Sequence, residues 1–126
     1  MENNLDKQFD EMTLALAKNG QDIINDLTPE KADLLHMAVG VSGEAGELLD
    51  AVKKAVIYNK EIDLENIIEE LGDLEFYMSK IRQIVGITRE EILKQNIDKL
   101  SIRYAKGKYS NDQAQERADK EGVSEQ

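Results

Sequence analysis

The middle of the chain carries two long runs in which apolar residues recur at alternating steps of three and four. The runs consist of Leu34, Ala38, Val41, Ala45, Leu48, Val52 and Ala55, and then of Leu64, Ile67, Leu71, Leu74, Met78, Ile81 and Val85. This spacing places the apolar side chains on one stripe of an α-helix. No segment shows the sustained period-two alternation of a strand, and the single proline, Pro29, lies where a helix can begin. The pattern predicts an all-α protein with a four-helix-bundle core.

Residues that start or stop helices set the remaining boundaries. The sequence predicts a first helix from Leu5 to Leu16 that stops near Gly20 and a second helix that begins at Thr28. A third helix is predicted from Asp63 to Gly86, and the capping box Thr88-x-x-Glu91 opens a fourth. A short last helix is predicted from Ser110 to about Asp119. Between the first two helices we expect a short linker. We therefore expect one all-α domain over residues 1–119 and a disordered polar tail over residues 120–126.

Two pairs of acids share one local format, Glu44-x-x-Glu47 and Glu70-x-x-Asp73. Each pair is spaced for one face of a helix, and the break over residues 56–63 allows the two helices to fold back antiparallel. Four converging carboxylates repel one another unless a divalent cation compensates their charge. An oxygen-only ligand set favours Mg²⁺, with Mn²⁺ as a substitute. At about 100° per residue, the acids lie beside the apolar stripes, at the edge of the groove between the helices.

A lone Glu-x-x-Glu is usually a solvated helix face in a chain with 33% charged residues. Here, however, glycines accompany both acid pairs. Gly46 and Gly72 lie inside the pairs, where a helix interior disfavours glycine by about 1 kcal/mol relative to alanine. Gly40 and Gly43 precede Gly46 at one residue per turn. Either a close helix crossing or a smooth wall for a flat base or sugar accounts for this repeat.

Composition narrows the possible functions. The formal net charge of −10 argues against nonspecific binding to nucleic acid or to an anionic membrane. The absence of cysteine removes disulfides, thiolate metal sites and cysteine nucleophiles. No secretory signal and no apolar run of about 20 residues is visible, so we expect a soluble cytoplasmic protein. Apolar stripes on every helix of so small a chain favour self-association.

Basic and polar residues that suit a phosphate ligand lie on two helices. Lys54 follows Glu47 by two turns on nearly the same face, and Asn96, Lys99 and Arg103 step along one face of a later helix. Such side chains can hold phosphate oxygens, although Lys99 also fits an ordinary solvated face. His36, the single histidine, lies two turns before Glu44, where a structural role and a role in binding are both open.

These motifs together closely resemble those of MazG-like nucleoside triphosphate pyrophosphohydrolases, which belong to the all-α NTP pyrophosphatase superfamily. The resemblance covers roughly residues 30–110. The matching motifs are His36-x-x-x-Gly40-x-x-Gly43-Glu44-Ala45-Gly46-Glu47-Leu48-Leu49-Asp50-x-x-Lys53-Lys54, Tyr58-x-Lys60, Glu69-Glu70-Leu71-Gly72-Asp73 and Asn96-x-x-Lys99-Leu100-x-x-Arg103-Tyr104.

The resemblance implies hydrolysis of a (deoxy)nucleoside triphosphate between its α and β phosphates, giving a nucleoside monophosphate and pyrophosphate. It also implies magnesium at Glu44, Glu47, Glu70 and Asp73, and an active unit completed as a homodimer or homotetramer. We expect the substrate to contact Lys54, Asn96, Lys99, Arg103, Tyr104 and His36.

Two other classes of protein are alternatives to the enzyme. A ferritin-like di-iron protein needs Glu-x-x-His pairs, which neither acid pair supplies. A noncatalytic helical interaction module stays open, and magnesium-dependent release of pyrophosphate from a nucleotide would separate it from the enzyme.

Overall fold

The computed structural model describes residues 4–107 and 109–117, and these residues contain six α-helices and no strand. The helices are α1 (Asn4–Leu16), α2 (Gly20–Asp26), α3 (Pro29–Ile57), α4 (Leu64–Val85), α5 (Arg89–Arg103) and α6 (Asn111–Glu116). The predicted all-α class is confirmed. None of these helices is long and apolar enough to cross a membrane.

The chain divides into two compact units. The first extends as far as His36 and holds α1, α2 and the start of α3, whereas the second begins at Met37 and holds the remaining elements. Both acid pairs belong to the second unit. The expectation of a single domain over residues 1–119 stays a prediction.

Capping interactions fix the ends of the central helices as the sequence predicted. Asp63 precedes α4, and its Oδ1 accepts a hydrogen bond of 3.1 Å from the N–H of Asn66. Gly86 ends α4 in the left-handed conformation with φ of 73°, which glycine adopts without a steric penalty. Thr88 and Glu91 form the predicted reciprocal capping box at the start of α5.

One predicted linker is wrong, because residues 20–26 form the helix α2. Its start is stabilised by Asn19, whose Oδ1 accepts a hydrogen bond of 2.7 Å from the N–H of Gln21. The last helix begins after Ser110 as predicted, but α6 ends at Glu116. Its predicted extension to Asp119 and the predicted tail over 120–126 lie outside the described residues.

The helices α3 and α4 run antiparallel in contact with each other. A Cβ on Gly40 of α3 would lie 2.7 Å from Cγ of Tyr77 of α4. Glu44, four residues after Gly40, approaches Asp73, four residues before Tyr77, so the two helices run in opposite directions. Ala51, which is 4% exposed, lies on the same side of α3. On another side of α4, residues of α4 and α5 line a common apolar groove of about 330 Å³, and α6 packs on α5.

Candidate active site

Three carboxylates from the two antiparallel helices come together in the second unit. Glu44 from α3 and Glu70 and Asp73 from α4 each offer an oxygen, and these three oxygens lie within 4.8 Å of one another. The local cause is the three-residue spacing of Glu70 and Asp73, which places both on one face of α4. The contact between α3 and α4 then brings Glu44 to that face. The group has only oxygen donors and can hold a hard divalent cation.

Glu70 is the buried member of this group. It is 9% exposed, and besides Ala51 it is the most buried residue among those that the structure describes. The prediction that the acids lie at the edge of the groove is therefore wrong for Glu70, because the contact between α3 and α4 includes the acid face of α4 itself. A carboxylate in this position is poorly solvated, which disfavours its charged form.

The surroundings of Glu70 raise its pKa to about 7. The largest cause is a hydrogen bond with the side chain of Glu44, followed by burial and by repulsion from the charges of Glu44, Glu47 and Glu69. A proton on Glu70 therefore offsets part of the repulsion within the group. A bound cation would offset the same repulsion and would displace that proton.

Glu47 lies near the group without belonging to it. Its charge contributes to the raised pKa of Glu70, but its oxygens are not among those that lie within 4.8 Å of one another. Glu47 is also exposed, whereas Glu44 is half-buried. The structure thus brings together three of the four predicted acids and leaves the fourth beside them.

Lys54 forms an ion pair with Asp50, which lies outside the group of three carboxylates. Its Nζ lies 3.1 Å from Oδ2 of Asp50, and the Nζ of Lys53 lies 3.7 Å from Oδ1 of the same carboxylate. The hydrogen bond and the charge of Lys54 lower the pKa of Asp50. The three- and four-residue spacings within Asp50-x-x-Lys53-Lys54 were visible in the sequence and could have predicted this cluster.

The predicted substrate residues of α5 differ in exposure. Asn96 is exposed, whereas Lys99 and Arg103 are half-buried. Tyr104 follows α5, and its ring centroid lies 5.7 Å from that of Tyr109. Both rings line a mostly apolar cavity of about 560 Å³ together with Ile97, Leu100, Ser101, Ala105 and Gly107. His36 is exposed and belongs to the first compact unit.

Comparison with protein families supports the acid motifs with an independent observation. Residues 32–107, more than half of the chain, match the model of the MazG nucleotide pyrophosphohydrolase domain. The chain belongs to the MazG family. Comparisons with curated proteins and with solved structures give no match. The matched segment contains both acid pairs, Lys54 and the polar face of α5.

The glycines of this MazG domain divide into two kinds. Gly40 is needed for the helix contact, because the ring of Tyr77 occupies the space that a Cβ would fill. A Cβ on Gly43, Gly46 or Gly72 would meet nothing within 4 Å. Close crossing therefore accounts for Gly40, and contacts within the described part of the protomer do not account for the other three.

We expect Gly40→Ala to be less stable than Gly43→Ala by about 1–3 kcal/mol in free energy of unfolding. Both variants replace a glycine of α3 by alanine, so they gain the same methyl group and the same increase in helix propensity. Only at Gly40 does the added methyl group collide with the ring of Tyr77. Chemical denaturation of both variants at one protein concentration measures this difference. Equal stability of the two variants would show that the Tyr77 ring can move away without cost.

Proposed function

We propose that this MazG-family protein hydrolyses (deoxy)nucleoside triphosphates between the α and β phosphates, releasing a nucleoside monophosphate and pyrophosphate. The observation that carries the proposal is the convergence of Glu44, Glu70 and Asp73 within 4.8 Å inside the matched domain. We assign Mg²⁺ as the native ion, with Mn²⁺ as a substitute, and Glu47 as a fourth acid that joins the group when the ion is bound. A set of carboxylates without cysteine or paired histidine suits these ions.

The chemistry of phosphoanhydride cleavage fits this group of residues. A bound Mg²⁺ supplies charge neutralisation on phosphate oxygens and a lowered pKa for bound water. The chain itself contributes the carboxylates of Glu44, Glu70 and Asp73, held by two packed helices. The reaction needs no protein nucleophile, in agreement with a chain that lacks cysteine.

The remaining predicted residues serve the substrate in this proposal. Lys54 neutralises phosphate oxygens after releasing part of its contact with Asp50, which now lies 3.1 Å away. The polar face of α5 and two further side chains contact the phosphates, the sugar or the base. These residues are Asn96, Lys99, Arg103, Tyr104 and His36.

We further infer that the active unit is a homodimer or homotetramer that clears unwanted nucleotides from the cytoplasm. Large apolar side chains such as Val39, Leu49 and Phe76 are exposed in one protomer. Such exposure is typical of surfaces that a second subunit covers. The net charge of −10 favours a small metal-associated anion as the ligand rather than a nucleic acid or a membrane.

Product analysis over a panel of nucleotides tests the proposed activity. The protein is incubated with each dNTP and each ribonucleoside triphosphate in Mg²⁺, and the products are separated and identified by ³¹P NMR. We expect monophosphate and pyrophosphate in equal amounts, and no reaction in excess chelator. Orthophosphate and a diphosphate as products would contradict cleavage at the α–β bond. No product from any nucleotide would favour a noncatalytic helical module.

We expect Lys54→Ala and Asn96→Ala to affect catalysis in different ways. Loss of the Lys54 charge should lower kcat/KM for every nucleotide by one similar factor, because phosphates are common to all of them. Loss of the Asn96 amide should change the ratio between nucleotides or between ribose and deoxyribose, because a site that hydrogen-bonds one substrate discriminates against others. The measurement is kcat/KM for four dNTPs and their ribo forms. One common factor for Asn96→Ala would instead assign Asn96 to the phosphates or to the structure.

A further inference from the structure

The carboxylate of Asp50 binds two lysines of α3 at once. Its Oδ2 lies 3.1 Å from the Nζ of Lys54, and its Oδ1 lies 3.7 Å from the Nζ of Lys53. We call these three residues the Asp50 cluster. The hydrogen bond and the charge of Lys54 lower the pKa of Asp50, which keeps this carboxylate ionised at neutral pH. The two ammonium groups therefore share one anion.

Another ion pair in the described part of the chain has the same spacing but different surroundings. On α5, the Nζ of Lys94 lies 3.1 Å from Oδ2 of Asp98, four residues later. The side chains of this pair are 76% and 61% exposed, whereas those of Lys54 and Asp50 are 56% and 45% exposed. The Asp50 cluster thus holds its cations in a less exposed position, and the pair on α5 offers a matched comparison.

The order of side chains around α3 decides which way the Asp50 cluster turns Lys54. At about 100° per residue, Glu47 lies roughly 60° around the helix from Glu44, Lys54 roughly 80°, Asp50 roughly 120° and Lys53 roughly 180°. All four angles are in the same direction. Asp50 therefore lies between the two lysines and further than Lys54 from the face that carries Glu44. The ion pair turns the ammonium group of Lys54 away from the three carboxylates of the acid group.

Along the helix axis, the same cluster lies within reach of a phosphate ligand. Asp50 follows Glu44 by six residues, or about 9 Å at a rise of about 1.5 Å per residue. Lys54 reaches back one turn to Asp50, so its ammonium group lies near this level. An anion of two or three linked phosphate groups that is held at the acid group spans a distance of this size. A rotation of the lysine side chain is then sufficient for contact.

We propose that Asp50 is a positioning residue that competes with phosphate oxygens for the ammonium groups of Lys53 and Lys54. It holds both groups in the free protein, yields them to the bound ligand and takes them back as pyrophosphate leaves. The proposal rests on the proposed function, in which Lys54 neutralises phosphate oxygens. It adds Lys53 as a second cation for the phosphates and Asp50 as the anion that limits their affinity.

The charges of the competing anions account for both directions of this exchange. Pyrophosphate carries more negative charge than one carboxylate, so it can displace Asp50 from the two lysines. Asp50 belongs to the same helix as the lysines, so its high effective concentration favours their recapture. Without this competition the product would leave more slowly, and product release limits turnover in many enzymes.

Isothermal titration calorimetry with inorganic pyrophosphate in Mg²⁺ tests the competition. We compare the original chain with Asp50→Asn, with the double variant Lys53→Ala/Lys54→Ala, and with the variant that carries all three changes. Asp50→Asn should lower the dissociation constant of pyrophosphate about fivefold, because an exposed ion pair contributes a factor of about two and the change breaks two such pairs. Without the two lysines, Asp50→Asn should alter the dissociation constant by less than about twofold. Loss of a merely structural contact would leave the affinity unchanged or weaken it.

Two further variants are controls, and circular dichroism verifies that every variant keeps its helices. Asp98→Asn breaks the ion pair of the same spacing on α5, and Glu69→Gln removes a charge that acts on Glu70. Each should change the dissociation constant by less than about twofold. An unchanged or weaker affinity of Asp50→Asn would overturn the proposal, as would an equal gain without the lysines or in either control, or no binding of pyrophosphate to any variant. The titration contains no nucleotide, so failure of the competition and absence of hydrolysis, which product analysis detects, are separate results.

Discussion

Asp73→Asn is expected to lower kcat/KM for nucleotide hydrolysis by about 100-fold or more, with helix content unchanged. The amide has the same shape as the carboxylate but carries no charge, so the acid group loses one anionic ligand for the ion. Loss of an electrostatic contribution of this kind typically costs about two to three orders of magnitude in turnover. We expect a similar loss for Glu47→Gln if Glu47 joins the group when the ion is bound. Steady-state kinetics at saturating Mg²⁺ measure both effects.

Glu75→Gln serves as the control for removal of one negative charge from α4. Glu75 lies on the same helix two residues after Asp73, but it lines the groove shared with α5. We expect its kcat/KM to stay within about threefold of the original, the scale of a surface charge that acts through solvent. A loss below tenfold for both Asp73→Asn and Glu47→Gln would place the reaction elsewhere on the protein.

The affinity for Mn²⁺ is expected to fall about tenfold between pH 8 and pH 6. The pKa of Glu70 is raised to about 7, so at pH 6 its carboxyl group is mostly protonated and must release a proton before it can bind the ion. Isothermal titration calorimetry at the two pH values, in buffers of different ionisation enthalpy, measures both the affinity and the protons released. An affinity that does not depend on pH, with no proton release at pH 7, would contradict a protonated Glu70 in the metal-free site.

The raised pKa of Glu70 also predicts how the free energy of unfolding of the metal-free protein changes with pH. Because the folded-state pKa of Glu70 lies above its ordinary value of 4.5, the folded state binds the proton more tightly than the unfolded state does. The contribution of Glu70 to the free energy of unfolding therefore falls as pH rises from about 4.5 to about 7, and stays constant above that range. Glu70→Gln should remove this slope and be more stable than the original at pH 8 in chelator.

Most of the helix boundaries could be predicted because the signals are local. Asp63, Gly86, Thr88 and Ser110 each act on backbone groups within four residues of themselves, so sequence alone identifies them. The sequence does not predict helix α2 because this helix has only 7 residues, too few for an apolar repeat to appear. Gly20, the predicted stop of the first helix, is instead the first residue of α2.

The site was predictable within each helix but not between helices. The three-residue spacing of Glu70 and Asp73 predicts that they share a face of one helix. The interruption of the helical pattern over residues 56–63 predicts that the preceding helix packs antiparallel to it. The depth of Glu70 and the position of Glu47 depend on the rotation of α3 against α4, which no spacing along the chain specifies. The same rotation decides that Gly40, and not Gly43, meets a tyrosine ring.

Anomalous diffraction from crystals grown with Mn²⁺ and a dNTP analogue whose α–β bridge cannot be hydrolysed would test the metal assignment most directly. We expect a manganese peak between Glu44, Glu70 and Asp73, with the bridging group of the analogue on the same side of α3 and α4. A peak at other residues, or the analogue bound with no manganese at these three carboxylates, would contradict a metal-dependent pyrophosphohydrolase site at this position.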